Sequence, residues 1–193
     1  MNKTAIIIPS RLDALRLPNK PLKLINNKEM ILHVYEAAKK TNTGEVYVAT
    51  PDQKIIDIII SNGGKAVLTS LNHQTGTDRI YEVFKTKLKS EPNVIVNLQG
   101  DMPNIDPQAI TDLVSYMHKD QCDIGTLASS FSSESELIDE NNVKVAVKDK
   151  LATNIFQKAT DFFRAGVKNY KNFYHHVGIY AFTNKALVRY VSL

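Results

Sequence analysis

Tryptophan is absent from the 193-residue chain, and cysteine occurs once, at Cys122. A lone thiol forms no internal disulfide, so the fold must rest on its core, and a reducing, cytoplasmic compartment is expected. Cys122 follows a helical stretch with no base nearby and reads as a buried structural thiol. Long apolar runs are missing too. Ala5 to Ile8 is too short for a signal peptide, Ile55 to Ile60 is interrupted by Asp57, and nothing approaches a membrane span. The net charge is +4, yet no dense basic tract interleaved with aromatics occurs, which argues against a nucleic-acid surface. There is no Gly-x-Gly-x-x-Gly, and Gly63-Gly64-Lys65 lacks the upstream glycine and downstream hydroxyl of a P-loop, so a nicotinamide-binding Rossmann domain is not indicated. Repeats, low-complexity tracts and Gly-, Ser- or Pro-rich linkers are absent, and a single domain over 1–193 is expected.

What is present alternates. Short apolar runs at Thr4–Ile8, Glu45–Thr50, Lys65–Thr69 and Asn93–Leu98 have the form of strands buried on both faces. Between them lie helical spacings: Ile31, Val34, Tyr35 and Ala38 from near Lys28, then Ile55, Ile56, Ile59 and Ile60 after Pro51-Asp52. Ile80, Val83, Phe84 and Leu88 mark a third helix, and Ile110, Leu113, Val114 and Met117 a fourth after Pro107. Four strand–helix alternations predict an α/β three-layer sandwich with a mainly parallel sheet. The second half is less regular: strands are expected at Asp123–Ser129, Val143–Val147 and His176–Phe182, and a helix over Asn184–Val191. All seven prolines precede it, the last being Pro107, whereas nine of the fifteen Phe and Tyr residues fall after Ile155. Such an aromatic cluster needs covering by core or by a partner.

In open parallel sheets ligands sit beyond the carboxyl ends of strands, so the segments after each strand deserve inspection. After the first, Arg11, Arg16 and Lys20 crowd one loop with Asp13 as the countercharge, an arrangement suited to a polyphosphate. After the third comes His73-Gln-Thr-Gly-Thr-Asp-Arg79, in which Gly76 permits close backbone approach, Thr77 can cap a helix, and Asp78 suits its positive end. After the fourth, Gln99-Gly-Asp-Met-Pro103 offers Asp101 as a magnesium carboxylate beside a glycine that lets a ligand approach. Each segment also has an ordinary reading, as a solvated loop, a capped helix or a turn. His175-His176 cannot chelate one ion, because neighbours on a strand point to opposite faces.

Taken together these segments resemble the 3-deoxy-manno-octulosonate cytidylyltransferases, also called CMP-Kdo synthetases, among the sugar-activating nucleotidyltransferases. The pieces that carry the likeness are Ile-Ile-Pro-Ser-Arg at 7–11, Arg-Leu-Pro-Asn-Lys-Pro-Leu at 16–22, His-Gln-Thr-Gly-Thr-Asp-Arg at 73–79, Val-Asn-Leu-Gln-Gly-Asp at 96–101 and His-Val-Gly-Ile-Tyr at 176–180. The resemblance implies transfer of CMP from CTP to the sugar acid Kdo with release of pyrophosphate, in lipopolysaccharide synthesis. It places Arg11, Arg16 and Lys20 around the triphosphate, with His73, Thr75 and Arg79 toward the cytidine. Gln99 and Asp101 fall beside the α-phosphate and Mg2+, and Arg11, Lys20 and Asp101 become the catalytic set. His176 and Tyr180, with Lys158 standing where the family carries an arginine, would serve the sugar acid. A homodimer is implied, with no nucleic-acid partner and no membrane insertion. Departures include Ala14 for a serine, Met102 for a glutamate, and Phe162 for a proline. The resemblance also implies a C-terminal segment with a second magnesium carboxylate beyond Leu193. The alternatives are a truncated or decayed homologue that binds nucleotide with little turnover, or a cytidylyltransferase for another sugar acid such as a sialic acid.

Overall fold

The computed structural model describes residues 3–13, 17–119, 122–152, 155–164 and 170–193. The chain packs as two compact units, one of Met1–Gly125 and Ile179–Leu193, the other of Thr126–Gly178. The boundaries fall inside the strands Ile124–Ser129 and Asn172–Thr183 rather than in loops. No run of Gly, Ser or Pro marks them for that reason.

The first unit opens with β1 (Thr4–Pro9), buried at all six positions. A short hairpin follows, β2 (Leu24–Ile25) and β3 (Lys28–Glu29), turned by Asn26 and Asn27 at φ 50° and 60°. Asparagine tolerates this left-handed pair, whose twist matches the flanking strands. Then come α1 (Met30–Lys40), β4 (Glu45–Thr50), α2 (Gln53–Ser61), β5 (Ala66–Leu68), α3 (Gly76–Thr86), β6 (Val94–Asn97) and α4 (Pro107–Lys119), and β7 (Ile124–Ser129) runs from this unit into the second after Gly125. The final residues of the chain add α6 (Asn184–Tyr190) after the end of the long strand β10 (Asn172–Thr183).

Within this unit the strand order is β5-β4-β1-β6-β10. β1 runs parallel to both β4 and β6, with Ile7 opposite Tyr47 on one side and Asn97 on the other. β10 lies antiparallel to β6, Tyr180 facing Asn97, and β7 pairs with β10 in turn. The expected α/β class with a mainly parallel sheet is what forms. Its topology matters for the site. The chain winds from β1 outward through β4 and β5, then returns to place β6 on the other side of β1, and such a reversal opens a crevice at the strand ends.

Alternation along β1 divides the core. Ala5 and Ile7 pack with Ile80, Val83 and Phe84 of α3 and with Leu187 of α6. Ile6 and Ile8 therefore face the other layer, where α1 packs on β4 and α4 on both α1 and β6. Phe84 and Ile80 are fully buried, each contributing about 1.5–3 kcal/mol by leaving water. No helix among the described residues is long and apolar enough to cross a membrane.

The second unit holds α5 (Glu134–Ile138), β8 (Lys144–Val147), β9 (Ala159–Phe163) and the start of β10. β8 is its middle strand, buried throughout, antiparallel to β9 and to Asn172–His175 of β10. Buried Lys144 is accommodated because its ammonium donates to the carbonyls of Asp139 and Arg164, at 2.6 and 2.8 Å. The late aromatics of this unit cover one another: Phe163 packs edge-on to Phe173 at 5.8 Å, and Phe173 lies 6.0 Å from Phe131. Here β9 and the first four residues of β10 form strands beyond those the sequence suggests.

Candidate active site

Three loops from the carboxyl ends of β1, β5 and β6 meet in one cleft of about 250 Å³, wholly within the first unit. The β1 loop contributes Pro9, Ser10, Arg11 and Lys20, the β5 loop His73 to Gly76 with Arg79, and the β6 loop Gln99, Gly100 and Asp101. Seven residues singled out by sequence thus share a cavity: Arg11, Lys20, His73, Thr75, Arg79, Gln99 and Asp101. Arg16 and Ala14 lie outside the described residues.

Two glycines lock the loops together. A methyl group added at Gly100 would sit 2.9 Å from the Pro9 carbonyl oxygen, and one at Gly76 would sit 3.1 Å from the Pro9 ring. The approach that Gly100 permits is therefore that of the chain's own backbone, where sequence suggests a ligand. Ends of two neighbouring parallel strands meet there, and only a residue without Cβ fits.

The described part of the β1 loop is tied at three points. Ser10 N–H donates to Ala49 O at 2.9 Å, Leu12 N–H to Asp52 Oδ2 at 2.8 Å, and Asn19 N–H to Leu12 O at 3.1 Å. A left-handed Asn19, φ 56°, then turns the chain into a 3-10 segment, Lys20–Leu22, that presents the Lys20 ammonium. Its partner is Asp101, Nζ to Oδ2 at 2.6 Å, rather than Asp13 of its own loop. Arg11 is exposed at the cleft. Ser10 also lines it, and its hydroxyl is buried with no hydrogen-bond partner among the described residues. An orphaned buried hydroxyl costs about 1–3 kcal/mol, a penalty suited to a place where ligand or water completes the structure.

At the head of α3 the cap is Thr75, not Thr77. The helix begins at Gly76, so Thr75 Oγ1 accepts from Asp78 N–H at 3.1 Å while Asp78 Oδ2 accepts from Thr75 N–H at 3.0 Å. Thr77 is instead turned to Asn97, whose Nδ2 donates to Thr77 Oγ1 at 3.3 Å. Asn97 in turn accepts from Gln99 Nε2 at 3.1 Å, which orients that side chain. Arg79 is 3% exposed yet among the described residues bonds only neutral oxygens, Thr69 Oγ1 at 2.5 Å and Ser70 O at 2.9 Å. Burial pushes its guanidinium below the usual range, with the charge of Arg11 adding to the effect and Glu82 and Asp52 opposing it. Two guanidiniums that repel across a cleft make a ready anion site. His73 Nε2 lies 2.5 Å from Glu82 Oε2, and the same oxygen accepts Ser70 N–H at 2.9 Å.

Among the described residues Asp101 is the one carboxylate on the cleft wall, and no three His, Cys, Asp or Glu side chains gather as a metal cage. One carboxylate still suits Mg2+, which keeps several waters and completes its shell with phosphate oxygens.

The remaining predicted residues lie elsewhere. Tyr180 belongs to the first unit, half-buried on β10 and packed on the Phe182 core cluster. Its hydroxyl is pushed up by burial, with Tyr190 adding. Lys158 and His176 belong to the second unit. Lys158 is exposed ahead of β9, whereas His176 is buried, Nε2 2.9 Å from Thr126 Oγ1 and edge-on to Phe162 at 5.2 Å. His175 points instead to Glu136, Nδ1 to Oε1 at 2.5 Å, so the adjacent histidines do face apart. Cys122 is half-buried, its thiol 3.3 Å from Met117 Sδ.

Residues 5–193 match the sequence model of the cytidylyltransferase family. The chain belongs to that family. It is 38% identical to the 3-deoxy-manno-octulosonate cytidylyltransferase of Brucella ovis, over 99% of this chain and 76% of the relative. Against the protein of the same name from Brucella anthropi it is 39% identical, over 99% of this chain and 77% of the relative. Among solved structures it is similar to a CMP:2-keto-3-deoxy-manno-octonic acid synthetase complexed with CTP, with TM-score 0.87 and 37% identity, covering 99% of this chain and 78% of that one. A cytidylyltransferase from Leptospira borgpetersenii shares the fold at TM-score 0.64 and 21% identity, covering 99% of this chain and 64% of that one. Placed in this family, the three-loop cleft is the candidate active site. Ser10 on the cleft wall, and Asp52 and Glu82 behind it as hydrogen-bond partners of the cleft loops, carry roles that the sequence does not signal. A serine after a strand, a helix-opening aspartate and a glutamate on a helix carry no signal of their own.

Proposed function

We propose that this cytidylyltransferase transfers CMP from CTP to 3-deoxy-manno-octulosonate, releasing pyrophosphate; the names of its relatives support the acceptor, and the CTP complex of the similar synthetase supports the donor. The observation that carries the reading is the convergence of Arg11, Lys20, Arg79 and Asp101, from three separate loops, on one cleft. The anomeric hydroxyl oxygen attacks the α-phosphorus, the α–β phosphoanhydride bond breaks, and pyrophosphate leaves as the hydroxyl proton is lost. Chemistry of this kind needs in-line positioning and compensation of negative charge on the leaving group. Arg11 and Lys20 serve the triphosphate in this reading, with His73, Thr75 and Arg79 toward the nucleoside. The anchored amide of Gln99 stands beside Asp101 at the α-phosphate. Asp101, with phosphate oxygens, would hold Mg2+, which supplies charge neutralisation. Tyr180, in the same unit as the cleft, is proposed for the sugar acid, and the cytoplasm as the site of action.

Pyrophosphate release from CTP, Kdo and Mg2+ tests this directly. Turnover that needs all three supports the reading. CTP binding without turnover points to a nucleotide-binding homologue, and turnover only with a sialic acid points to a different acceptor.

A further inference from the structure

Asp52 stands at the head of α2 with the extended backbone of a helix cap, φ −104° and ψ 116°, yet its carboxylate caps nothing in that helix. Aspartate at this position ordinarily accepts a bond from the second or third helical N–H. Here Oδ2 accepts instead from Leu12 N–H at 2.8 Å, forty residues earlier and directly after Arg11. The carboxylate is itself held in place, because Asp52 N–H donates to Thr50 Oγ1 at 3.1 Å and Thr50 is fully buried at the end of β4. Ser10 N–H is tied to the same strand end, at Ala49 O. The residues on either side of Arg11 are thus pinned to β4 and α2. Asp52 also acts on the charge balance of the cleft, since it favours the Arg79 guanidinium that Arg11 disfavours.

We propose that Asp52 is a positioning residue for nucleotide binding, surrendering its helix-capping bond to fix the backbone from which Arg11 reaches the phosphates. The inference rests on the proposed CTP reading. It concerns the phosphate end of that ligand, so inorganic tripolyphosphate serves as a probe independent of the base and of turnover.

Two variants separate the roles of the carboxylate. Asp52→Ser is a good helix cap but too short to reach Leu12, and Asp52→Asn keeps an acceptor oxygen at the same reach without the charge. Dissociation constants for CTP and for tripolyphosphate, KM and kcat for CTP, and Tm are measured on all three proteins. Asp52→Ser is expected to raise the CTP and tripolyphosphate dissociation constants and KM about tenfold, with kcat changed less and Tm unchanged or higher. Asp52→Asn is expected to recover most of that binding. A serine variant with parent affinity overturns the proposal, as does a serine variant whose Tm falls while affinity holds. Equal losses in both variants overturn it in favour of a purely electrostatic role. If the parent binds tripolyphosphate but not CTP, and serine weakens it, the positioning role stands while the nucleotide reading fails. Binding of neither ligand by the parent overturns both.

Discussion

Lys20 Nζ lies 2.6 Å from Asp101 Oδ2, joining two loops that are eighty-one residues apart in the chain. With side chains 37% and 51% exposed, the pair is too wet to be a stability device, for exposed ion pairs contribute about 0–1 kcal/mol. Its place at the mouth of the cleft argues for chemistry. Lys20→Ala and Asp101→Asn are each expected to shift Tm by no more than a few degrees and to lower pyrophosphate release by about a hundredfold or more. Chelation of Mg2+ should reproduce the Asp101→Asn loss in the parent and add little in the variant. A Tm collapse with activity intact would make the pair structural.

The Glu82 carboxylate, bonded by His73 and by Ser70 N–H, supports one wall of the cleft. Burial raises its pKa, but the bonds from His73 and Ser70 outweigh that, and the net shift is downward. A carboxylate only accepts, so it holds His73 Nε2 as the donor and fixes the ring. Glu82→Gln is expected to raise KM for CTP about tenfold while changing kcat less, because the nucleoside wall loosens and the phosphate groups remain. Steady-state kinetics with CTP varied at saturating Kdo and Mg2+ checks this. A fall in kcat at constant KM would place Glu82 in the chemical step.

Much of the architecture was legible because burial on both faces leaves a plain signature. Ala5 to Pro9 is apolar from end to end and forms most of the central strand, and the spacing of Ile80, Val83 and Phe84 sets the face of α3. The three loops were legible too, since cations, a glycine and a carboxylate at strand ends are rare together. What escaped was set by distant partners. Asp52 reads as a helix opener because its true acceptor role depends on Leu12, which only the fold brings near. Thr75 rather than Thr77 caps α3 because the helix starts two residues earlier than a Thr77 cap would place it, taking Gly76 into its first turn. Lys144 sits in a buried strand although charge argues against it, and two backbone carbonyls supply the reason. The division into two units was hidden for a topological reason, since continuous strands cross both boundaries.

Acid should destabilise the protein in two stages. Burial lowers the pKa of His118, and burial with the charge of His175 lowers that of His176. The unfolded chain therefore binds protons at these positions first, and stability is lost as pH falls below the ordinary histidine range near 6.5. A second loss follows below about pH 4.5, where Glu82 and Glu136, both held low in the fold, become protonated. Tm measured from pH 8 to pH 4 should show a plateau, then a decline beginning near pH 6.5. His118→Gln, whose amide can still meet Thr4 Oγ1 but does not titrate, should shrink the first decline and leave the second. A flat profile between pH 7 and pH 5 would contradict the shifts.

Gly100 offers the sharpest test of how the cleft is built. Its φ is not what requires glycine; the Pro9 carbonyl oxygen, 2.9 Å from where a methyl group would stand, is. That neighbour is backbone of the central strand, and it cannot swing aside as the tip of a flexible side chain would. Gly100→Ala must therefore push the β6 loop away from β1, at a cost of about 1–3 kcal/mol for overpacking. For a chain of this size that corresponds to a Tm lowered by several degrees. The displacement also carries Asp101 away from Lys20, so pyrophosphate release should fall further than the stability loss explains at a temperature where the variant is fully folded. Gly63→Ala is the control. Its φ of 72° strains any side chain, but a methyl group there meets nothing within 4 Å, and Gly63 lies at the far end of α2. That variant should lose stability and keep its activity per folded molecule, so equal specific activities for the two alanine variants would refute the clasp at Pro9.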